Sequence, residues 1–269
     1  MIGAIVQARM NSTRLPGKVL MDVEGRPLLY RLIMRLKQCK LLDKIVVATS
    51  VEKDDLPIVS FCRENNIPYF TGSKDDVLDR FYQTAKQFNI DVVVRITGDC
   101  PLIDPEVTDK VIQYYVDNQE TFDYISNGRP PTYPDGLDTE VFSFQTLEKL
   151  WKTATKKYHK EHVTALVSED ASFQIGNVEN DKDLSHLRWI VDYKEDLEFV
   201  REVYRRLYSS GKVFGKNEIL QLLEQEPQLQ QINGKFVRND GFAKSLKEEG
   251  VDPALHADAF KMGNKKMNF

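Results

Sequence analysis

Between Ile2 and Ile96 the chain alternates four times between a short apolar run and a segment with helical apolar spacing. No other feature constrains the fold as much, because repeated strand–helix–strand units close most readily into a parallel sheet with helices on its faces. The strands are expected at 2–6, 45–49, 68–70 and 91–96. The last of these is too apolar to face water on either side, as a strand covered on both faces should be. Pro27 opens a helical segment with Leu28, Leu29, Leu32, Ile33 and Leu36 on one face. A second helix is expected around 56–64. A third carries Val77, Leu78, Phe81, Tyr82, Ala85 and Phe88 at helical spacing. The expected class is α/β: three layers around a mostly parallel, Rossmann-like sheet. Such sheets bind ligands beyond the carboxyl ends of their strands, so the loops at 7–18, 50–54, 71–76 and 97–104 are where chemistry is sought.

Beyond residues 123–125 the regularity breaks. The stretch Arg129-Pro130-Pro131-Thr132-Tyr133-Pro134-Asp135-Gly136 is a rigid excursion and not an element. Helical spacing returns at 145–155 and 159–169, strands are expected at 173–177 and 187–191, and a helix at 194–208. The remainder holds a helix near 218–225 and a polar end, 263–269, expected to fray. The organisation predicted is a catalytic domain over 1–211, with a small inserted lobe at about 126–180, followed by a helical extension over 212–269.

Composition excludes several function classes. The 37 Lys+Arg against 41 Asp+Glu give a formal net charge of −4, which argues against a broad nucleic-acid-binding face. Cys39, Cys62 and Cys100 are too scattered for a disulfide framework or a zinc site. No apolar run approaches the roughly 18 residues of a membrane span, and the opening MIGAIVQARM has no secretory h-region. A cytoplasmic protein without membrane or nucleic-acid partners is expected.

Against that acidic average, residues 7–20 reverse the sign. They contain Arg9, Arg14 and Lys18 and no carboxylate. Cations in a partly desolvated loop hold phosphate oxygens through charge-assisted hydrogen bonds; Ser12 and Thr13 add hydroxyls, and Gly17 permits close backbone approach. This is not a P-loop, since Gly17-Lys18 lacks the upstream glycine and is followed by Val19. The GxGxxG dinucleotide pattern is absent as well.

The stretch Ala8-Arg9-Met10-Asn11-Ser12-Thr13-Arg14-Leu15-Pro16-Gly17-Lys18 resembles the signature of the CMP-sugar-acid synthetases, the cytidylyltransferases of acylneuraminate and 3-deoxy-octulosonate. It is most similar to their spore-coat polysaccharide (SpsF-like) branch. Five further stretches follow in order: Leu78-Asp79-Arg80-Phe81, Thr97-Gly98-Asp99-Cys100-Pro101-Leu102-Ile103, Gly136-Leu137-Asp138-Thr139-Glu140-Val141-Phe142, Lys160-Glu161-His162-Val163-Thr164 and Leu187-Arg188-Trp189-Ile190-Val191-Asp192. The similarity extends to about Lys247.

The resemblance implies a nucleotidyltransferase fold of the nucleotide-diphospho-sugar transferase type. It implies transfer of CMP from CTP to an eight- or nine-carbon 2-keto sugar acid, with release of pyrophosphate, for surface polysaccharide or glycan biosynthesis. It also implies a homodimer joined through the inserted lobe. Nucleotide contacts would come from Ala8, Arg9, Ser12, Arg14, Lys18, Gly72, Asp79, Arg80 and Thr97, and catalytic charge stabilisation from Arg9, Arg14, Lys18 and Asp99. Asp99, at the end of the 91–96 strand, is a natural first carboxylate for the Mg²⁺ that accompanies a triphosphate. Asp192, at the end of the strand expected at 187–191, is the second. The bland readings are a helix cap or turn residue for each.

Asp138 and Glu140 alternate with apolar neighbours, so both are expected on one strand face, as contacts to sugar hydroxyls or as a solvated edge. His162 is a further substrate candidate. His159 and His162 are three apart but match no zincin pattern, and Cys100 is expected to be a small buried side chain. Two other functions share this layout. A nucleotide-sugar-dependent glycosyltransferase would usually carry Asp-x-Asp, whereas Thr97 stands two residues before Asp99. The other is a nucleotidyltransferase using another NTP or a non-sugar acceptor. A non-catalytic nucleotide binder fits least, given the full set of cations and carboxylates.

Overall fold

A computed structural model of the chain describes residues 1–209 and 213–256. Seven strands form one mixed sheet: β1 (Ile2–Gln7), β2 (Lys44–Ser50), β3 (Tyr69–Gly72), β4 (Val92–Thr97), β5 (Tyr124–Ser126), β6 (Glu140–Ser143) and β7 (Ile175–Asn177). Their spatial order is β3-β2-β1-β4-β6-β5-β7. β1 pairs in parallel with both β2 and β4, while β6 runs antiparallel to β4 and to β5. The chain thus leaves β1 towards opposite edges, and the crevice at that switch point opens above the carboxyl ends of β1 and β4.

The alternation of side chains along β1 and β4 separates two cores. Ala4, Val6 and Val94 face one layer with Leu29, Leu32 and Ile33 of α1 (Leu28–Leu36), Ile58 of α2 (Leu56–Glu64), and Val111 and Ile112 of α4 (Pro105–Asn118). Ile5 and Val93 face the other with Leu78, Phe81 and Ala85 of α3 (Val77–Phe88) and Leu147 and Leu150 of α5 (Phe144–Thr153). The result is a three-layer α/β fold around a mostly parallel sheet. A third cluster joins Trp189 and Val191 to α7 (Lys194–Leu207) and α8 (Lys216–Gln225). Local signals set several helix starts. The Asp104 carboxylate accepts from the amides of Glu106 and Val107 at 2.9 and 3.1 Å, with Pro105 in the first turn. Asp76 accepts from the Asp79 amide at 2.8 Å.

Several expectations need correction. Residues 187–191 are not a strand: Arg188 makes one isolated bridge to Asp135, and Val191 donates instead to the Asp99 carbonyl at 2.9 Å. The backbone there serves the β4 loop and the proline-rich excursion, so no ladder forms. The helix expected at 159–169 is split into α6 (Lys157–Glu161) and a 3₁₀ turn, Ala165–Ser168. Val163 lies between them at φ 54°, a left-handed conformation that a β-branched residue does not adopt within a helix. Asp138 precedes β6, so it does not share a strand face with Glu140. Residues 126–180, expected as an inserted lobe, carry β6 and β7 of the main sheet. The polar end at 263–269 lies outside the described residues. No helix among those described is long and apolar enough to cross a membrane.

Candidate active site

The loop after β1 is folded on itself before it touches anything else. The Gly17 amide donates to the Met10 carbonyl at 2.8 Å, Gly17 takes φ 74°, and the Leu15 amide donates to Ser12 Oγ at 3.3 Å. Asp55, at the start of α2, accepts from the Met10 amide at 2.6 Å. The left-handed turn at Gly17 delivers Lys18 inward on a short 3₁₀ turn.

The Lys18 ammonium donates to Asp99 Oδ2 at 2.7 Å, to Asp192 Oδ1 at 2.8 Å and to the Val191 carbonyl at 2.7 Å. Burial works against the lysine's charge, but the two carboxylates outweigh it and raise its pKa above the ordinary value. Asp192 also receives Arg14 Nη2 at 2.7 Å and Arg188 Nη2 at 3.2 Å. Burial alone would raise the Asp192 carboxyl; Lys18 and Arg14 reverse this and hold it down at about 2. Arg188 is itself fixed by Asp196 at 2.9 Å and Asp135 at 3.1 Å. Asp196 turns back at the start of α7 to accept from the amides of Asp192 and Tyr193, which holds Asp192 at the cleft.

Asp99 stands where β4 ends. The Gly98 amide donates to the Gln7 carbonyl at 2.8 Å, and a Cβ at Gly98 would lie 2.6 Å from that oxygen. The close approach requires glycine and draws the β1 and β4 loops together. Cys100 is buried, and burial pushes its thiol well above the ordinary range, so it is a packing residue here.

These groups border a cleft of about 710 Å³. Of the site residues expected from sequence, Ala8, Arg9, Ser12, Arg14, Lys18, Arg80, Thr97, Asp99, Asp138, Glu140, His162 and Asp192 all line it. Gly72 and Asp79 do not. Gly72 packs under the Arg80 side chain, and Asp79 faces away, accepting from Trp151 Nε1 at 2.9 Å and Gln83 at 3.1 Å. Arg9 and Arg80 also border a smaller recess with Ser50 and Asp55. Burial and then the nearby Arg9 lower the Arg80 guanidinium to about 10, leaving it charged at neutral pH. Two like charges held this close suit an anionic or electron-rich ligand between them.

Across the cleft, Glu140 accepts from Arg95 and, at 2.6 Å, from the Thr164 hydroxyl, while Asp138 pairs with Arg238. His162 bonds Ser245 Oγ at 3.0 Å. Burial, helped by Arg95 and Arg9, pushes its imidazole down to about 3, so it is neutral. His159 is separated from it and faces Glu169 at 2.9 Å, away from any metal role with His162.

Sequence reasoning missed Arg95, Arg188, Arg238, Tyr193 and residues 239–248 as parts of the cleft wall or its support. Arg95 carried a signal, being a cation inside an otherwise apolar strand. Residues 239–248 carried none.

Magnesium can be weighed against this geometry. Two carboxylate oxygens and a carbonyl converge on one point, now filled by the lysine ammonium, so the donor chemistry suits a hard cation. Among the described residues no group of three or more His, Cys, Asp or Glu could hold a metal. Mg²⁺ with a triphosphate takes one or two carboxylates and completes its shell with phosphate oxygens and water.

Comparison with known proteins agrees with this architecture. The family model described as cytidylyltransferase matches residues 3–235. The spore coat polysaccharide biosynthesis protein SpsF of Bacillus subtilis is 32% identical over 231 residues, covering 83% of this chain and 94% of the relative. A 3-deoxy-manno-octulosonate cytidylyltransferase of Pelobacter propionicus is 32% identical over 120 residues, covering 44% of this chain and 45% of the relative. The solved structure of a cytidylyltransferase from Leptospira borgpetersenii superposes with a TM-score of 0.81 at 32% identity, covering 86% of this chain and 96% of that one.

Proposed function

This chain belongs to the cytidylyltransferase family, a CTP-using nucleotidyltransferase, and we propose that it transfers CMP from CTP to a sugar acid in a Mg²⁺-dependent reaction that releases pyrophosphate. The observation that carries this reading is the convergence of Lys18 and Arg14 on Asp99 and Asp192 at the carboxyl edge of the sheet. A second polar wall, with Glu140, Thr164 and His162, stands opposite.

In the reaction an acceptor hydroxyl oxygen attacks the α-phosphorus in line, and its proton passes to solvent water. The new bond is P–O to the acceptor, the bond to the bridging oxygen breaks, and pyrophosphate leaves with that electron pair. Arg9, Arg14 and Lys18 border the triphosphate side and stabilise the charge spreading onto its oxygens, which is the main contribution a protein makes to phosphoryl transfer. Asp99 and Asp192 would hold Mg²⁺, which when bound neutralises phosphate charge and lowers the pKa of a coordinated hydroxyl. With those carboxylates engaged, Lys18 would donate to phosphate oxygens instead. Glu140 and Thr164 orient the acceptor's hydroxyls, and neutral His162 offers a ring nitrogen as a hydrogen-bond partner.

The sugar-acid class is supported by the six motif stretches shared with the sugar-acid synthetases. The same resemblance supports a role in surface polysaccharide or glycan synthesis and a homodimer, and a cytoplasmic site of action is part of the proposal.

The test is incubation with each NTP, Mg²⁺ and a panel of sugar acids, scoring pyrophosphate. Release with CTP and one or more sugar acids is expected. No release from any combination, with no CTP binding, would sink the proposal.

A further inference from the structure

The family match ends at residue 235, yet the cleft does not. Its outer wall is α9 (Asp240–Glu248), which contributes Asp240, Gly241, Phe242, Lys244, Ser245 and Glu248. The helix is docked at both ends. At its start, Asp240 accepts from Tyr193 Oη at 2.9 Å and faces Arg14 at 3.4 Å. Towards its end, Leu246 is fully buried against Tyr158 and Ala165, and Glu249 accepts from the Tyr158 amide at 2.7 Å. Between these anchors Ser245 bonds His162, and the Phe242 ring meets the imidazole edge-on at 4.8 Å. The helix therefore spans from the Asp192 centre to the wall that carries Glu140 and Thr164.

Charge decides what this wall receives. On the acceptor side Arg129 donates to Ser168 Oγ at 2.7 Å, while Arg95 pairs with Glu140 and bonds Gln7, and Arg238 pairs with Asp138 and bonds the Tyr133 carbonyl. Those pairs are largely buried, and withdrawing a cation from one strands its carboxylate. Lys244 differs. Its ion pair with Glu248 is 3.8 Å long, and the two side chains are 73% and 64% exposed. Changing partner costs such an ammonium little, because an exposed pair of this kind contributes almost nothing to stability.

We propose that α9 is the acceptor-selecting wall of the cleft, and that Lys244 receives the carboxylate of the acceptor while Ser245 and His162 receive a hydroxyl. This rests on the sugar-acid reading above and adds to it the group that distinguishes an acid from a neutral sugar.

The experiment is steady-state pyrophosphate release by the full chain, varying acceptor at saturating CTP and then CTP at saturating acceptor, for wild type, Lys244→Met and Lys244→Arg. Lys244→Met should raise the acceptor KM by about tenfold or more, as loss of a charge-assisted contact does. The CTP KM should move by less than about twofold, and that constancy also reports an intact fold. Lys244→Arg should recover most of the loss. The carboxamide of the acceptor should be a poor substrate for wild type but no worse for Lys244→Met than the acid is. An unchanged acceptor KM in Lys244→Met overturns the inference. A CTP KM rising in step with the acceptor KM also overturns it, by placing Lys244 on the triphosphate. Wild type that binds CTP but turns over no acid removes the sugar-acid reading and this inference with it, whereas turnover with unchanged selectivity removes this inference alone.

Discussion

The Lys18 ammonium lies 2.7 Å from the Asp99 carboxylate, across 81 residues of sequence. The same nitrogen reaches Asp192 across 174, so one side chain ties the β1 loop to the two carboxylates proposed to hold metal. Replacing it with methionine leaves two carboxylates facing each other without their shared cation. Lys18→Met should lose turnover by about a hundredfold or more and stability by about 3 kcal/mol in metal-free buffer. Added Mg²⁺ should raise the melting temperature more in Lys18→Met than in wild type, because the ion then enters a site with no resident ammonium. An equal Mg²⁺ shift in both proteins would place the metal elsewhere.

Asp99→Asn keeps the shape of the side chain and removes its charge. Turnover should fall by about a thousandfold while the melting temperature changes by only a few degrees. Chelator should silence wild type to the same level, and Mg²⁺ should restore it. Activity surviving within a few-fold in Asp99→Asn is the result that removes Asp99 from the metal site.

Arg188 holds three carboxylates, Asp135, Asp192 and Asp196, from a nearly buried position. Truncation to alanine removes the cation that all three share, although Asp192 keeps Lys18 and Arg14. Urea unfolding of Arg188→Ala should show a loss of about 3–5 kcal/mol. Arg188→Lys keeps one charge without the planar fork, so its loss should be intermediate. A midpoint close to wild type for Arg188→Ala would show that the network adds little to stability.

His162 sets a direction for pH dependence. Its folded-state pKa is depressed to about 3 from the ordinary 6.5, so below 6.5 the unfolded chain binds a proton that the folded protein refuses. Stability should therefore fall as pH drops from about 6.5 towards 3, by at most about 1.4 kcal/mol per pH unit for this one group. Asp192, held at about 2 against an ordinary 3.8, adds a second loss that begins only below about pH 4. Thermal melts from pH 7 to pH 4 should be steeper for wild type than for His162→Gln. Parallel curves would show that the imidazole is not the group responsible.

Gly98→Ala tests the contact between loops. Its new methyl would meet the Gln7 carbonyl at 2.6 Å and Ala8 Cβ at 3.2 Å, and backbone on both sides leaves little room to yield. A stability loss of about 1–3 kcal/mol is expected, with kcat reduced because Asp99 is the next residue. A fully active, fully stable Gly98→Ala protein would mean the loops part freely.

Much of the fold is legible in the sequence. Strands β1, β2, β3 and β4 fall close to the apolar runs read for them, because period-two and helical periodicities are properties of local sequence. The cationic, carboxylate-free character of residues 8–18 is legible from residue type alone. The failures share a cause. Residues 187–191 look like a strand by apolarity, but buried backbone bonds wherever a partner is offered, and here the partners are Asp135 and Asp99. Asp79 sits in a motif beside Arg80, yet successive helical residues point about 100° apart, so one faces the cleft and the other Trp151.

The sequence by itself determined an α/β sheet with a carboxylate-free cationic loop after its first strand and an aspartate at the end of its fourth, since both follow from residue type and local period. Only the tertiary structure decided that Lys18 stands between Asp99 and Asp192, that Arg188 braces Asp192 from behind, and that α9 walls the cleft. Those relationships join residues that local periodicity cannot connect; they exist because parallel strand pairing brings distant loops to one edge, where the low dielectric of a half-buried cleft makes each charge choose a partner.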